Sequence, residues 1–508
     1  MKKFIRFLTG RLFITSIIIL IQLGVLFVIF YSLSTYSVYI YMGMVLFSLV
    51  LVITIVGDDI NPTFKVAWII PMLTVPFFGW LVYFMFGRRK ITSRSYARYM
   101  STTIPSDSLL EDDSEALYEI ELKSDSALRQ CTYIRNTAKT NVFKYTQTEF
   151  FQTGEEFFTV YLEELKKAKK FIFLEYFIIS DGKMWRSIKD ILVEKARQGV
   201  EIRILYDDLG TINLLEKGYD EKLRGLGFKV CIFNMFKPSL DVFLNYRDHR
   251  KITVIDGNVG FTGGINLADE YINEIERYGY WKDCALMIKG DAVSRMACMF
   301  LQLWNFSSPE KDPQYLPYLS TLKCENDGYV VPFGDGPMSG HLTGKLAYIN
   351  LINHAKRYVY ISTPYLILDN EMITALRLAD QSGVDVRIIT PHIPDKWYVH
   401  TVTRSNYGAL VQSGVRVFEY RPGFIHSKAI IADDEVCVVG TTNFDFRSFY
   451  LHFENGVFMY KSKAVQQVKD DFEAMFADKC IEITAQMCDV SKLKQFSWSF
   501  MKLFSPFM

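Results

Sequence analysis

One short motif occurs twice in this chain with identical spacing, and it restricts the possible folds more than any other feature of the sequence. Each copy contains a histidine, a lysine two residues later, an aspartate five residues after that and, beyond a glycine, an asparagine. The first set is His249, Lys251, Asp256 and Asn266, and the second, 177 residues later, is His426, Lys428, Asp433 and Asn443. Such a repeat predicts two homologous lobes, each carrying one copy.

The residue types in the motif indicate chemistry on a phosphodiester. Alternate side chains of a strand share a face, so the histidine and the lysine of each copy point the same way. The turn signal Gly257-Asn258 predicts that the first copy is a hairpin, and the second copy has the same pattern. Two facing hairpins would let lysine and asparagine stabilise the phosphoryl oxygens. One imidazole would attack phosphorus while the other protonated the leaving alkoxide.

Four carboxylates complete the candidate catalytic set. Asp283 and Glu454 each begin a strand-like run after one motif. A carboxylate on the second ring nitrogen would fix the tautomer of a catalytic histidine and raise its pKa. Asp256 and Asp433 belong to the set as members of the motif, but aspartate suits turns. We therefore expect these two to stabilise their turns rather than to react.

The duplicated motif resembles the H-x-K-x4-D motif of the phospholipase D superfamily, and nearly the whole chain is similar to bacterial cardiolipin synthases. The similar segments are residues 247–251, 261–271, 423–428, 440–449 and 503–506. The resemblance implies an α/β fold with two homologous phospholipase D-type lobes, mixed β-sheets flanked by helices, and N-terminal transmembrane helices. It also implies that Asp283 and Glu454 orient the catalytic histidines, within a lobe or across lobes. The family commonly has Leu-Asn-Phe-Glu where this chain has Leu-His-Phe-Glu at 451–454.

The same resemblance implies a cardiolipin synthase, in which one phosphatidylglycerol gives its phosphatidyl group to another through a phosphatidyl-histidine, releasing glycerol. We assign His249 as nucleophile and His426 as acid and base, although the near symmetry of the copies leaves the reverse order open. The expected partners are phosphatidylglycerol and the lipid bilayer, with no cofactor, metal or nucleic acid. A hydrolytic phospholipase D or another phosphatidyltransferase would use the same residues. A net charge of +1 argues against a nuclease, and intact motifs argue against a catalytically silent scaffold.

Hydrophobic patterning divides the chain into five segments. Residues 1–95 are predicted to be a membrane region, with apolar runs at 12–31, 38–56 and 67–86, the last interrupted by Pro71 and Pro76. Residues 96–140 are polar and are predicted to be a linker, followed by the lobes at 141–320 and 321–482 and an amphipathic, membrane-proximal tail at 483–508. The pattern predicts a multi-pass membrane protein, and the resemblance implies that the membrane is the bacterial plasma membrane. Basic residues at both ends of the membrane region leave the number and orientation of the spans open.

The remaining cysteines and histidines carry no recognisable motif. The eight cysteines lack metal-ligand spacing and are predicted to be free thiols. We assign no role to the histidines outside the motif, which are His341, His354, His392, His400 and His452.

Overall fold

A computed structural model describes residues 37–87, 93–107, 113–235 and 245–508, together with isolated helical positions between 17 and 28. The described chain divides into two compact units. Residues 37–87 belong to the first unit, and residues 93–235 and 246–508 to the second. The two motifs therefore lie in the second unit.

The first unit contains a long apolar helix, α1 (Ser37–Gly57). Among the described residues, the stretch Val38–Gly57 is the one helix long and apolar enough to cross a membrane. The predicted run at 67–86 is not one continuous helix, because it is divided between α2 (Pro62–Thr74) and α3 (Pro76–Val82). The residue before a proline is disfavoured in the helical region, and Val75 leaves it with φ −134°. The predicted run at 12–31 lies largely outside the described residues.

The region predicted to be a linker is instead largely helical. It contains α4 (Ser93–Asp107), α5 (Ser114–Glu121) and α6 (Asp125–Ala138). Ile120, Cys131 and Ile134 are buried in the same hydrophobic core as the second lobe. The polar composition comes from the outward faces of these helices. Average composition does not show the narrow apolar stripe that each helix buries.

The first lobe is an α/β structure around a mixed sheet. Its strands are β1 (Thr146–Phe151), β2 (Phe171–Tyr176), β3 (Glu201–Asp207), β4 (Lys229–Phe233), β5 (Arg247–Asp248), β6 (Lys251–Ile255), β7 (Val259–Gly263), β8 (Tyr280–Lys282) and β9 (Ala285–Gly290). Its helices are α7 (Gly154–Lys167), α8 (Lys183–Arg197), α9 (Asp208–Thr211), α10 (Tyr219–Gly225) and α11 (Val293–Ser307). In the described part of this lobe, seven strands form one sheet in the order β1-β9-β7-β6-β2-β3-β4.

The second lobe repeats this arrangement. Its strands are β10 (Tyr329–Asp335), β11 (Tyr358–Ser362), β12 (Asp385–Pro391), β13 (Arg416–Tyr420), β14 (Gly423–Ile425), β15 (Ala429–Ala432), β16 (Val436–Gly440), β17 (His452–Tyr460) and β18 (Cys480–Glu482). Its helices are α12 (Thr343–His354), α13 (Asn370–Gln381), α14 (Trp397–Val411), α15 (Phe446–Tyr450), α16 (Lys463–Ala474), α17 (Ala485–Cys488) and α18 (Lys492–Lys502). The sheet order is β10-β17-β16-β15-β11-β12-β13-β18. Apart from β18, it matches the first lobe strand for strand, which confirms the predicted repeat.

Equivalent glycines end equivalent helices in the two lobes. Gly199 follows α8 with φ 87°, and Gly383 follows α13 with φ 95°. A left-handed residue at this position lets the chain turn sharply out of the helix, and glycine adopts it without steric cost. In each lobe the next strand, β3 or β12, begins two residues later, so the repeat extends to the local geometry of its turns.

Two short strand pairs join the lobes. β5 of the first lobe pairs in parallel with β17 of the second, and β14 of the second pairs in parallel with β8 of the first. β5 ends one residue before His249, and β14 ends one residue before His426. The connections between the lobes therefore also fix the backbone of both motif histidines.

Candidate active site

The first strand pair places His249 beside an acid of the other lobe. Its register pairs Asp248 with Phe453. The residues that follow them, His249 and Glu454, therefore face each other. The backbone N–H of His249 donates to the backbone carbonyl of Phe453 at 2.9 Å. His249 Nδ1 lies 3.0 Å from both carboxylate oxygens of Glu454. The carboxylate therefore fixes the ring so that Nε2 is the nitrogen free to meet a substrate.

The second strand pair repeats this geometry for His426. Its register pairs Ile425 with Lys282, so His426 faces Asp283. The His426 N–H donates to the Lys282 carbonyl at 2.7 Å, and His426 Nδ1 lies 2.7 Å from Asp283 Oδ2. Each acid named from the sequence thus contacts the histidine of the opposite lobe.

The motif lysines lie directly beneath the histidines. Lys251 Nζ donates to the carbonyl oxygen of His249 at 2.6 Å, and Lys428 makes the same bond to His426. Both lysines are almost fully buried. Their position brings two positive charges close to the imidazoles, where they can stabilise a bound anion.

The motif asparagines line the same cavity as the histidines. Asn266 accepts from the Ile178 N–H at 3.0 Å and donates to the Tyr271 hydroxyl at 2.7 Å. Asn443 donates to Asp445 at 3.2 Å. Its buried Oδ1 has no hydrogen-bond partner among the described residues, and this amide is therefore positioned to interact with a ligand.

The motif aspartates lie at the opposite end of their strands from the histidines. Asp256 has φ 53° and Asp433 φ 58°, and each ends a strand in a tight turn. The carboxylate of Asp256 accepts from the N–H groups of residues 169, 170 and 171, and that of Asp433 from residues 356, 357 and 358. Neither aspartate lines the cavity. Their place in the candidate catalytic set is therefore corrected: they hold the turn against the start of a neighbouring strand.

Both histidines open into one cavity of about 590 Å³, a size typical of small-molecule sites. Aromatic side chains form much of its wall, namely Phe177, Tyr271, Tyr278, Trp281, Tyr365, Tyr398, Phe424 and Phe507. Trp281 lies 5.4 Å and Tyr271 5.5 Å, ring to ring, from His426, and Phe177 lies 5.1 Å from His249. The remaining wall is rich in cationic side chains, which are Arg247, Arg277, Lys396 and Arg447.

The charges in the site favour an anionic ligand. Burial, together with the two motif lysines, holds the pKa of His249 and of His426 well below the usual range. The rise that we expected from the neighbouring carboxylates is therefore outweighed. Burial also lowers the pKa of Lys251 to about 7 and that of Lys428 to about 8. A bound phosphodiester would counter these shifts, because a negative charge stabilises every protonated group near it.

His452, to which we assigned no role, lies in the site. Its ring is 5.4 Å from that of His249, and its Nε2 accepts from Arg447 Nε at 3.2 Å. Its Nδ1 lies 3.6 Å from a carboxylate oxygen of Glu454. Burial lowers the pKa of His452 to about 3, so the ring is neutral. The departure from the asparagine common in the family was the signal in the sequence that could have found it.

Three side chains of the site have the donor types of a metal centre. His249, His452 and Glu454 place ligand atoms within 4.8 Å of one another. The nearby ammonium of Lys251 and guanidinium of Arg447 oppose a cation there. We therefore assign no metal to this group.

The chain matches two protein-family models. One, described as cardiolipin synthase, PLD-like domain, matches residues 161–304 and 348–476, and thus both motifs. The chain belongs to the phospholipase D-type cardiolipin synthase family. A second model, described as phospholipase D-nuclease N-terminal, matches residues 45–88. These matches confirm the resemblance found in the sequence.

Among individual relatives, a named cardiolipin synthase agrees with this assignment. The chain is 40% identical to an uncharacterized protein of Streptococcus mutans, over 83% of this chain and 92% of the relative. It is 36% identical to the cardiolipin synthase of Alkalihalophilus pseudofirmus, over 83% of this chain and 84% of the relative. The crystal structure of the phosphatidylserine synthase of Haemophilus influenzae shares the fold, with a TM-score of 0.59 and 16% identity, over 75% of this chain and 100% of that one.

Proposed function

We propose that this protein is a membrane-bound phosphatidyltransferase that converts two molecules of phosphatidylglycerol into cardiolipin and glycerol. The observation that carries the proposal is the pair of buried imidazoles in one cavity, each held by a carboxylate of the opposite lobe. Two such groups allow one to attack phosphorus while the other moves the proton. The surrounding cations suit the charge of a phosphodiester.

In the first step, the neutral Nε2 of one histidine attacks the phosphorus of phosphatidylglycerol. The bond from phosphorus to the glycerol oxygen breaks, and the other histidine, protonated, gives its proton to the departing alkoxide. Lys251 and Lys428, with the amides of Asn266 and Asn443, would stabilise the oxygens that gain negative charge. The products of this step are free glycerol and a phosphatidyl-histidine.

In the second step, a hydroxyl of another phosphatidylglycerol replaces glycerol in the cavity. It gives its proton to the histidine that has just lost one and attacks phosphorus, and the bond between phosphorus and the first histidine breaks. Water would attack the same intermediate and produce phosphatidic acid. The aromatic wall limits the access of water and thereby favours the lipid alcohol.

We also propose a multi-pass location in the bacterial plasma membrane, with contacts to the bilayer from the tail at 483–508. The apolar helix α1 supports a membrane location. In the tail, α18 presents Leu493, Phe496 and Phe500 to solvent, exposed by 81%, 71% and 53%. Positions separated by three and four residues share one face of a helix, and Lys492 and Lys494 lie in its first turn. An amphipathic basic helix of this kind suits an anionic bilayer surface.

A product analysis tests the proposed reaction. The purified full-length protein is incubated with vesicles of phosphatidylglycerol, and lipids and free glycerol are quantified. We expect cardiolipin and glycerol in equal amounts, because each transfer releases one glycerol. Phosphatidic acid as the only lipid product would contradict the proposal and would instead identify a hydrolytic phospholipase D.

The motif lysines predict the alkaline limb of the pH profile. Both must be protonated to hold an anion, and burial lowers the pKa of Lys251 to about 7 and that of Lys428 to about 8. We therefore expect kcat/KM to fall as the pH rises through these values. A bound phosphodiester raises both pKa values, so the limb of kcat should lie at higher pH than the limb of kcat/KM. A kcat/KM that rises across this interval would contradict the assignment.

A further inference from the structure

The two halves of the cavity differ on one wall, although the repeat relates them. The motif spacing of 177 residues makes Arg247 equivalent to Phe424 and Arg447 equivalent to Glu270. In the strand pairs between lobes, His452 pairs with Arg247 and Trp281 pairs with Phe424. His452 and Trp281 are therefore equivalent as well. All six side chains line the cavity. The three positions on the His249 side are therefore cationic or polar, whereas the equivalent positions on the His426 side are aromatic or acidic, and the acid there, Glu270, is paired with Arg277 at 3.0 Å. We call Arg247, Arg447 and His452 the basic wall.

Arg447 is held in the basic wall by neutral groups. Its Nε donates to His452 Nε2 and its Nη1 to the Phe507 carbonyl, both at 3.2 Å. No carboxylate among the described residues lies within ion-pair distance of it. Burial lowers the pKa of this guanidinium, but arginine keeps its charge at any physiological pH. The contacts therefore fix the orientation of the side chain without neutralising it.

Arg247 adds a second guanidinium to this wall. It is almost fully buried, donates to the Asn234 carbonyl at 2.8 Å and lies 3.6 Å from Asp207. Its charge and that of Arg447 repel each other, which contributes to the lowered pKa of Arg447. Arg247 is buried and Arg447 is half-buried, and two like charges at one cavity wall are stabilised by an anion that binds against both.

We propose that the basic wall binds a second phosphodiester, that of the acceptor lipid. This inference rests on the proposed function, and it assigns to the basic wall the selection of the acceptor lipid. Arg447 would be the main ligand, because a guanidinium can donate two parallel hydrogen bonds to a phosphate. His452 is a positioning residue that fixes the Arg447 side chain.

The need for a second phosphate site follows from the product. Cardiolipin carries two phosphodiesters joined by one three-carbon glycerol, and the motif residues supply ligands for the one that reacts. The second must lie one glycerol away from the reacting phosphorus. The basic wall has this position: His452 lies 5.4 Å, ring to ring, from His249, and Arg447 contacts its far nitrogen at 3.2 Å. Phe424 and Trp281, at the equivalent positions opposite, offer no charge to a phosphate.

Two reactions of the phosphatidyl-histidine distinguish binding of the acceptor phosphate from a role in the chemical step itself. Labelled glycerol that attacks the phosphatidyl-histidine regenerates labelled phosphatidylglycerol, and this exchange involves no second phosphate. Cardiolipin formation requires one. With vesicles of phosphatidylglycerol and labelled glycerol, we expect Arg447→Gln to lower the ratio of cardiolipin formation to glycerol exchange by about 10-fold or more. Arg447→Lys should lower it less, because the charge remains while the paired donors are lost.

Arg416→Gln is the matched control, because Arg416 forms an exposed ion pair with Glu482. This variant should have the same ratio of cardiolipin formation to glycerol exchange as the wild type. Thermal unfolding of each variant identifies a loss of fold. If Arg447→Gln lowers both reactions equally, or neither, the basic wall does not select the acceptor and the inference is wrong. If the wild type exchanges glycerol but forms no cardiolipin, the proposed function itself fails.

Discussion

Replacement of either motif histidine by alanine is expected to lower the rate of cardiolipin formation by about 1,000-fold or more. One histidine forms the bond to phosphorus and the other carries the proton, so neither half of the reaction proceeds without both. His249→Ala and His426→Ala should therefore be similarly inactive, and the double variant little worse than either, because residues that act as a unit are not additive. Initial rates with vesicles of phosphatidylglycerol provide the measurement.

His354→Ala is the control for these variants. His354 ends α12, and its Nδ1 lies 2.8 Å from the carbonyl oxygen of Asn350, outside the cavity. Its loss should leave the rate close to that of the wild type. Full activity of either motif variant would show that the reaction occurs elsewhere.

The acids that contact the histidines are expected to give the next largest effects. Glu454→Gln and Asp283→Asn keep the shape of the side chain but remove the negative charge that fixes the histidine tautomer. We expect kcat to fall by about 100-fold or more for each. Because the contacts cross between lobes, Glu454→Gln should impair the function of His249, and Asp283→Asn that of His426.

Asp256→Asn provides a matched change of acid to amide. Asp256 binds backbone N–H groups at a turn remote from the cavity, so its loss should lower thermal stability while the folded protein keeps its turnover. A change at Asp283 or Glu454 that affected only stability, in the manner of Asp256→Asn, would contradict the orienting role.

The reaction centre was predictable because the repeat is encoded in local sequence. The fixed spacing identified the histidines and asparagines that line one cavity and the buried lysines that contact the histidine backbone, and the β-branched runs identified the strands that carry them. The pairing of each acid with the opposite histidine was not predictable. It depends on the register of β5 with β17 and of β8 with β14, and short pairs between distant segments leave no periodic pattern in the sequence.

The basic wall and the helices at 93–138 were missed for a related reason. Arg447 and His452 lie only four and nine residues after Asn443, but they are not part of the repeated spacing, and only the folded chain shows that they reach the cavity. The helices around Ile120 and Cys131 bury a narrow stripe under a polar surface, and composition predicted a linker from that surface. In the membrane region both prolines of the run 67–86 were predicted to interrupt it, but only the backbone shows that Pro71 lies inside α2 and that Pro76 begins α3.

The two strand pairs between lobes have a consequence for the origin of the enzyme. A symmetric homodimer of single-motif chains would already contain both histidine–carboxylate contacts, since each subunit would lend its acid to the other. Gene duplication and fusion of such an ancestor would leave its chemistry intact from the first generation. The fused copies would then be able to diverge. The difference between Arg447 and Glu270 at equivalent positions is the result that such divergence would give: one side would bind the second lipid, and the other would keep the first.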